Sequence, residues 1–236
     1  MLPMFYEKVS ALSLVSHQDA SIEASGSFSF AAESNAIAVG VSEFAQALSS
    51  YPIIFVSSGA TVIPMVVTGL KDKQNLFVDA EGGWDATYIP AYVRRYPFVV
   101  AEGQDDVLTV CVDEAYTGFN RENRGESLFE DGKQTPYLNK VTNFLQEYEK
   151  EMLITREFTQ RLLDLDLLED SQAVIERTGG EPTAINGFKV VSREKLNGLS
   201  AEELCQLQRG GYLEFIYLHL TSLQRFDALF QKLVQV

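Results

Sequence analysis

The sequence predicts an α+β fold. A mostly antiparallel sheet fills the N-terminal half, and helices fill the C-terminal half, including a long terminal helix. Three observations carry this. Short β-branched runs between turn residues occupy residues 28–114. After residue 134 the apolar residues recur every three or four positions. The chain closes on residues 212–234, which show a wide apolar stripe. The 236 residues, 46% hydrophobic, can bury a substantial core. One domain, 1–236, is expected, divisible into a sheet-rich part (1–115), a loop (116–134) and a helix-rich part (135–236).

FSFAAESNAIAVG (28–40) reads as strand around a turn. SEFAQALSSY (42–51) reads as a short helix capped by Ser42, with Phe44, Leu48 and Tyr51 on one face. PIIFVSS (52–58) and TVIPMVVTGL (61–70) suit a hairpin, with Pro64 hinting at an edge or bulge. NLFVDAEGGWD (75–85) reads as a strand ending in a Gly-Gly turn. PFVVAEG (97–103) and VLTVCVDE (107–114) form a strand pair across 104–106. Residues 116–134 are polar and irregular, as in a long loop. TPYLNKVTNFLQEYEKEMLITREFTQRLLDL (135–165) is a long helix or two. Thr135 caps it, Pro136 fills the first position, and Leu138, Val141, Leu145, Tyr148 and Met152 repeat at helical spacing. Residues 173–191 read as a hairpin around Gly179-Gly180. Ser200 and Glu203 form a capping box for a helix ending near Arg209. In the terminal helix Ile216, Leu220, Leu223, Phe226, Phe230 and Leu233 line the stripe.

Composition excludes several function classes. A net charge of -14 cannot neutralise a run of phosphates or cling to an anionic membrane, so no nucleic acid is expected as a partner. No stretch is long and apolar enough for a membrane span; residues 212–223 are too short and contain Glu214 and His219. Glu7 and Lys8 interrupt what a signal peptide would keep apolar. Cys111 and Cys205 lie in apolar contexts, as buried reduced thiols of a cytoplasmic protein would. His17 and His219 are far apart, and no HxxxH, HxE or CxxC spacing exists, so neither a metal nor a cofactor is implied. Asp79, Glu81 and Asp85 resemble calcium ligands. The sixth and twelfth loop positions, however, hold Trp84 and Pro90 where glycine and glutamate are needed. His219, between apolar neighbours, reads as a core or interface residue. No nucleophile-elbow, phosphate-loop or dinucleotide motif occurs.

The most distinctive stretch is WDATYIPAYVRRYPFVVA (84–101). With Asp85 or Thr87 as cap, Pro90 in the first turn and Pro97 at the end, it reads as a helix of about two turns. Tyr88, Tyr92 and Tyr96 then fall four apart and stack along one face, either against a partner or against the sheet. Arg94 and Arg95 point away from that row. Trp84, Tyr88, Tyr92, Arg94, Arg95 and Tyr96 are the candidate binding residues: rigid aromatic area with hydroxyls, beside arginines that can clamp a carboxylate or pair with the chain's own. Asp113 or Glu114, at a strand end, is the alternative acid/base, with Arg94 or Arg95 holding a substrate carboxylate.

The blocks FAAESNAIAVGVSEFAQALSSYPIIF, LFVDAEGGWDATYIPAYVRRYPFVVA, CVDE, GESLFEDGKQTPYL and GFKVVSREKLNGLSAEEL, with the terminal helix after them, resemble the bacterial SapC-like family. The resemblance runs from about Met4 to Phe230. It implies a surface-layer context for the family's name. It also implies likeness to proteins encoded near tryptophan-halogenase-like enzymes, cupin-like proteins and TonB-dependent receptors. It carries no agreed catalytic residue, so none is assigned. The expected function is a soluble, non-enzymatic accessory protein that recognises a peptide or partner protein, such as an enzyme of halogenase or cupin type. The alternatives are a small-molecule enzyme built on Asp113 or Glu114, and an oligomeric surface-layer-related subunit using the 212–234 helix.

Overall fold

The computed structural model describes residues 2–102, 108–175 and 183–235. Chain order begins β1 (Val9–Ala11), α1 (Leu14–His17), β2 (Ser21–Ile22), β3 (Ala36–Ala38), α2 (Phe44–Ala47), β4 (Ile53–Ser58), β5 (Thr61–Val67), α3 (Ala91–Arg94), β6 (Phe98–Glu102) and β7 (Leu108–Asp113). Then come the two-residue strands β8 (Phe119–Asn120), β9 (Glu126–Ser127), β10 (Phe129–Glu130) and β11 (Lys133–Gln134). The long helix α4 (Pro136–Asp164) leads to β12 (Leu168–Ile175) and β13 (Thr183–Val191). Helices α5 (Arg193–Asn197), α6 (Ala201–Arg209), α7 (Tyr212–Ser222) and α8 (Arg225–Gln235) end the chain.

Every strand pairing among the described residues is antiparallel. The largest sheet runs β12-β13-β4-β5-β3, so strands of both halves share it. Pro64 is tolerated, but not at an edge or bulge: β5 lies inside this sheet, with regular register. Its carbonyl accepts from Val39 N at 3.1 Å, so its missing N–H faces the point where β3 stops at Ala38. A second sheet, β1-β7-β6, carries the expected 97–114 strand pair. The turns expected at 104–106 and Gly179-Gly180 lie outside the described residues.

Helix α4 links two cores. Leu138 and Leu145 pack with Phe98, Val112 and Leu128, while Phe158 and Leu162 pack with Ile53, Phe55 and Leu220. At 29 residues the helix is about 43 Å long, enough to reach both. Its start is as expected: Thr135 Oγ1 accepts from Leu138 N at 3.2 Å and donates to Ser127 O at 2.7 Å. Thr135→Ala is therefore expected to lower stability by about 1–2 kcal/mol in urea denaturation, and Thr135→Ser by less.

Other expectations shift. Residues 29–31 form a 3-10 turn, and only Ala36–Ala38 of the 28–40 stretch is strand. Residues 75–85 hold one isolated bridge, Val78 to Trp84, rather than a strand. The 116–134 loop is organised: β8 and β9 flank β2, and β10 turns into β11 through Asp131 (φ 49) and Gly132 (φ 72), a left-handed pair suited to a two-residue turn. The terminal helix is interrupted at Leu223 and Gln224. Thr221 and Ser222 donate their hydroxyls to the carbonyls of Tyr217 and His219, which competes with the helical ladder. Ile216, Leu220 and Leu233 of its stripe are buried in the core. Both cysteines are unpaired, but Cys205 is exposed because α6 turns Leu207 inward instead.

His219 is a core residue with a defined task. Its Nε2 accepts from Val191 N at 3.1 Å, and its Nδ1 donates to Ile53 O at 2.9 Å. Ser222 Oγ accepts from Ile53 N at 2.9 Å. Helix α7 thus satisfies the backbone of β4 and β13 where their own pairing, represented by Lys189 and Phe55, ends.

Candidate functional site

The stretch 84–97 is not a two-turn helix. Only Ala91–Arg94 is helical, with Pro90 as its cap in an extended conformation. The cause is a carboxylate from elsewhere: Glu43 Oε2 accepts from Ala91 N at 2.7 Å and so starts the helix at that residue. Tyr88 precedes the helix and Tyr96 follows it, so the expected tyrosine row does not exist. The hydroxyls diverge. Tyr88 donates to Glu43 Oε2 at 2.7 Å, Tyr92 accepts from Met4 N at 3.0 Å, and Tyr96 donates to Asp113 Oδ2 at 3.4 Å. Trp84 Nε1 donates to Tyr51 Oη at 2.8 Å, and Tyr51 donates to the Tyr88 carbonyl at 2.5 Å. Burial first, then the Glu43 charge, push the Tyr88 phenol well above its ordinary range. All three tyrosines are half-buried.

Glu43 is the residue that sequence reasoning missed. It is 6% exposed, and its Oε1 also accepts from Gly40 N at 2.7 Å. Ser42 does not cap the 42–51 helix; a 3-10 turn from Val41 leads into it, with Gly40 as its cap. The available signal was a glutamate three residues after Gly40, the spacing by which a carboxylate reaches back to a helix start.

Asp113 and Glu114 are spoken for. Asp113 is fully buried and accepts from Glu7 N at 2.9 Å, Lys8 N at 2.8 Å and Ala115 N at 3.0 Å, which fixes the N-terminal arm to β7. Glu114 lies 2.7 Å from the Lys8 ammonium and 3.2 Å from His17 Nε2. The hydrogen bond from Lys8 above all holds its carboxyl down to about 2. A carboxylate so stabilised is a poor base near neutral pH. Neither residue lines the described cavities that Arg94 and Arg95 line.

The two arginines differ. Arg94 is exposed, donates from Nε to Ile89 O at 2.9 Å, and lies over the Phe144 ring at 5.3 Å. Arg95 is 7% exposed. Its guanidinium sits 4.0 Å from the Tyr92 ring centre, 4.9 Å from Tyr148 and 5.8 Å from Tyr6. Its Nε is buried with no hydrogen-bond partner.

Three cavities follow one another along α4. The first, about 270 Å³, lies between α4 and Gly40–Gln46 and includes Arg94 and Phe144. The second, about 380 Å³, lies between α4 and β5 and includes Tyr92, Arg95 and Met152. The third, about 540 Å³, runs from Arg156 to Asp164 beside Tyr212. Tyr148 and Met152 stand between the first and second, and Arg156 and Thr159 between the second and third. The row from Phe144 to Asp164 spans about 30 Å of helix. Among the described residues no cluster of acidic, histidine or cysteine side chains could hold a metal, and no helix is long and apolar enough to cross a membrane.

No curated protein and no solved structure matches this chain. A family model does, over residues 12–229, which takes in every side chain just described from β2 through α4 and reaches well into α8. The chain belongs to the SapC family.

Proposed function

We propose that this chain is a non-enzymatic binding protein that receives an extended segment of a peptide or partner protein along α4. The observation that carries this is the row of wall-sharing cavities with Arg95 buried in its middle one. A groove about 30 Å long suits some nine residues of extended chain. Its walls mix tyrosine and methionine area with a few polar groups, the composition of recognition surfaces. The enzyme alternative has no support in the site: Asp113 and Glu114 are consumed by Glu7, Lys8, Ala115 and His17. A cytoplasmic partner of halogenase or cupin type is the one that the family context favours.

The test is photo-crosslinking in the native cell. A benzophenone amino acid in place of Met152 should yield one discrete adduct, whose mass identifies the partner. The same group in place of Val15, 97% exposed and outside the groove, should yield none. Equal labelling from both positions, or none from Met152, would defeat the reading.

A further inference from the structure

We infer that the middle cavity takes an acidic side chain, aspartate or glutamate, from that extended segment, with the Arg95 guanidinium as its anchor. This deepens the binding reading above and rests on it. A buried N–H without a partner is costly, and native structures seldom keep one without a use. The rings of Tyr92, Tyr148 and Tyr6 surround the guanidinium and soften the cost of burying its charge. The hydroxyls of Tyr6 and Tyr92 also interact with the guanidinium, but its Nε–H is left without the in-plane acceptor that a carboxylate would supply.

Charge agrees. The middle cavity is lined by two arginines, Arg95 and Arg156, and one glutamate, Glu149, a net of one positive charge in a chain of net charge -14. The first cavity carries Glu43, Glu147 and Glu151 against Arg94, and the third balances Arg156 and Arg161 with Glu157 and Asp164. Of the three, the middle one is where an anion is best received. The groove also continues past Arg95 in both directions. A side chain of a passing segment therefore fits, whereas a chain terminus would leave one end empty. A phosphate would call for several converging donors or a helix N-terminus, and this wall is the middle of α4.

The experiment starts from a phage-displayed library of random twelve-residue peptides selected on the intact protein. Enriched peptides are then synthesised in glutamate and glutamine (or aspartate and asparagine) pairs, and with free or amidated C-termini. Affinity is read by fluorescence polarisation, and the Arg95 Nε–H resonance by NMR. The expected results are a common acidic position, at least tenfold weaker binding for the amide partner, and a shifted Arg95 signal. Amidating the C-terminus should change nothing. In Arg95→Met the acid and amide peptides should bind alike. If that variant does not fold, the acid–amide pair on the unmodified protein decides. Equal affinity of acid and amide peptides overturns the inference, and so does dependence on the C-terminal carboxylate. If such peptides are still blocked by Met152→Trp, the binding reading stands without it. If the library yields no binder, both fall.

Discussion

His219→Leu is expected to lower stability by about 3–5 kcal/mol in chemical denaturation. The substitution leaves the Val191 N–H and the Ile53 carbonyl buried without partners, each costing about 1–3 kcal/mol, and leucine does not fill the imidazole's place. His219→Asn, which can both donate and accept, should recover part of the loss. A pH signature separates this from a general packing effect. Burial foremost lowers the His219 pKa from 6.5 to about 4, helped by the Arg193 charge and opposed by the bond to Ile53. Between those values the unfolded chain binds a proton that the folded chain does not. Stability from this residue is therefore complete above about pH 6.5 and falls as pH drops toward 4, by roughly 3 kcal/mol. The part of this slope between about pH 5 and 6.5 should vanish in His219→Asn, while the contribution of Glu114 sets in below about pH 4.5. An unchanged slope would remove His219 as its source.

Glu43→Ala is expected to cost about 3–5 kcal/mol as well, and to do so at the groove. It leaves Gly40 N, Ala91 N and the Tyr88 hydroxyl without their acceptor. Residues 88–95 should loosen, because α3 has no other cap, and any peptide affinity should fall with them. Hydrogen exchange at Ala91 reads this directly: its amide should exchange at least tenfold faster in the variant. Glu43→Gln should lie between, since the amide accepts through one atom only. If Glu43→Ala unfolds near wild-type midpoints, the carboxylate is not what holds the segment.

These two residues also show where the sequence was legible and where it was not. Local rules located the β4–β5 hairpin, the Thr135 cap of α4 and the Ser200–Glu203 box of α6, because each depends on neighbours a few residues apart. The family blocks were legible too, as wording rather than physics. What failed had non-local causes. Helical spacing put three tyrosines in a row, but the helix is cut short by a carboxylate 48 residues away in sequence. The C-terminal strands join the N-terminal sheet by the pairing of β13 with β4, completed by a histidine 166 residues from the carbonyl it serves. Of the site, the sequence singled out residues 84–96 as unusual, and Tyr88, Tyr92, Arg94 and Arg95 among them line the cavities along α4. Their arrangement was not readable, nor was the role of α4 as the opposite wall, because tyrosine and arginine at helical spacing look the same facing a core or a cleft.

The most direct test of the account is a hydrogen–deuterium exchange footprint of the protein with its crosslinked partner or a selected peptide. Protection is expected in residues 38–46, 61–65, 88–95 and 144–164 and at Tyr212, which line the groove, and nowhere on 213–235. Protection centred on the terminal helices, with the α4 groove unchanged, would contradict it.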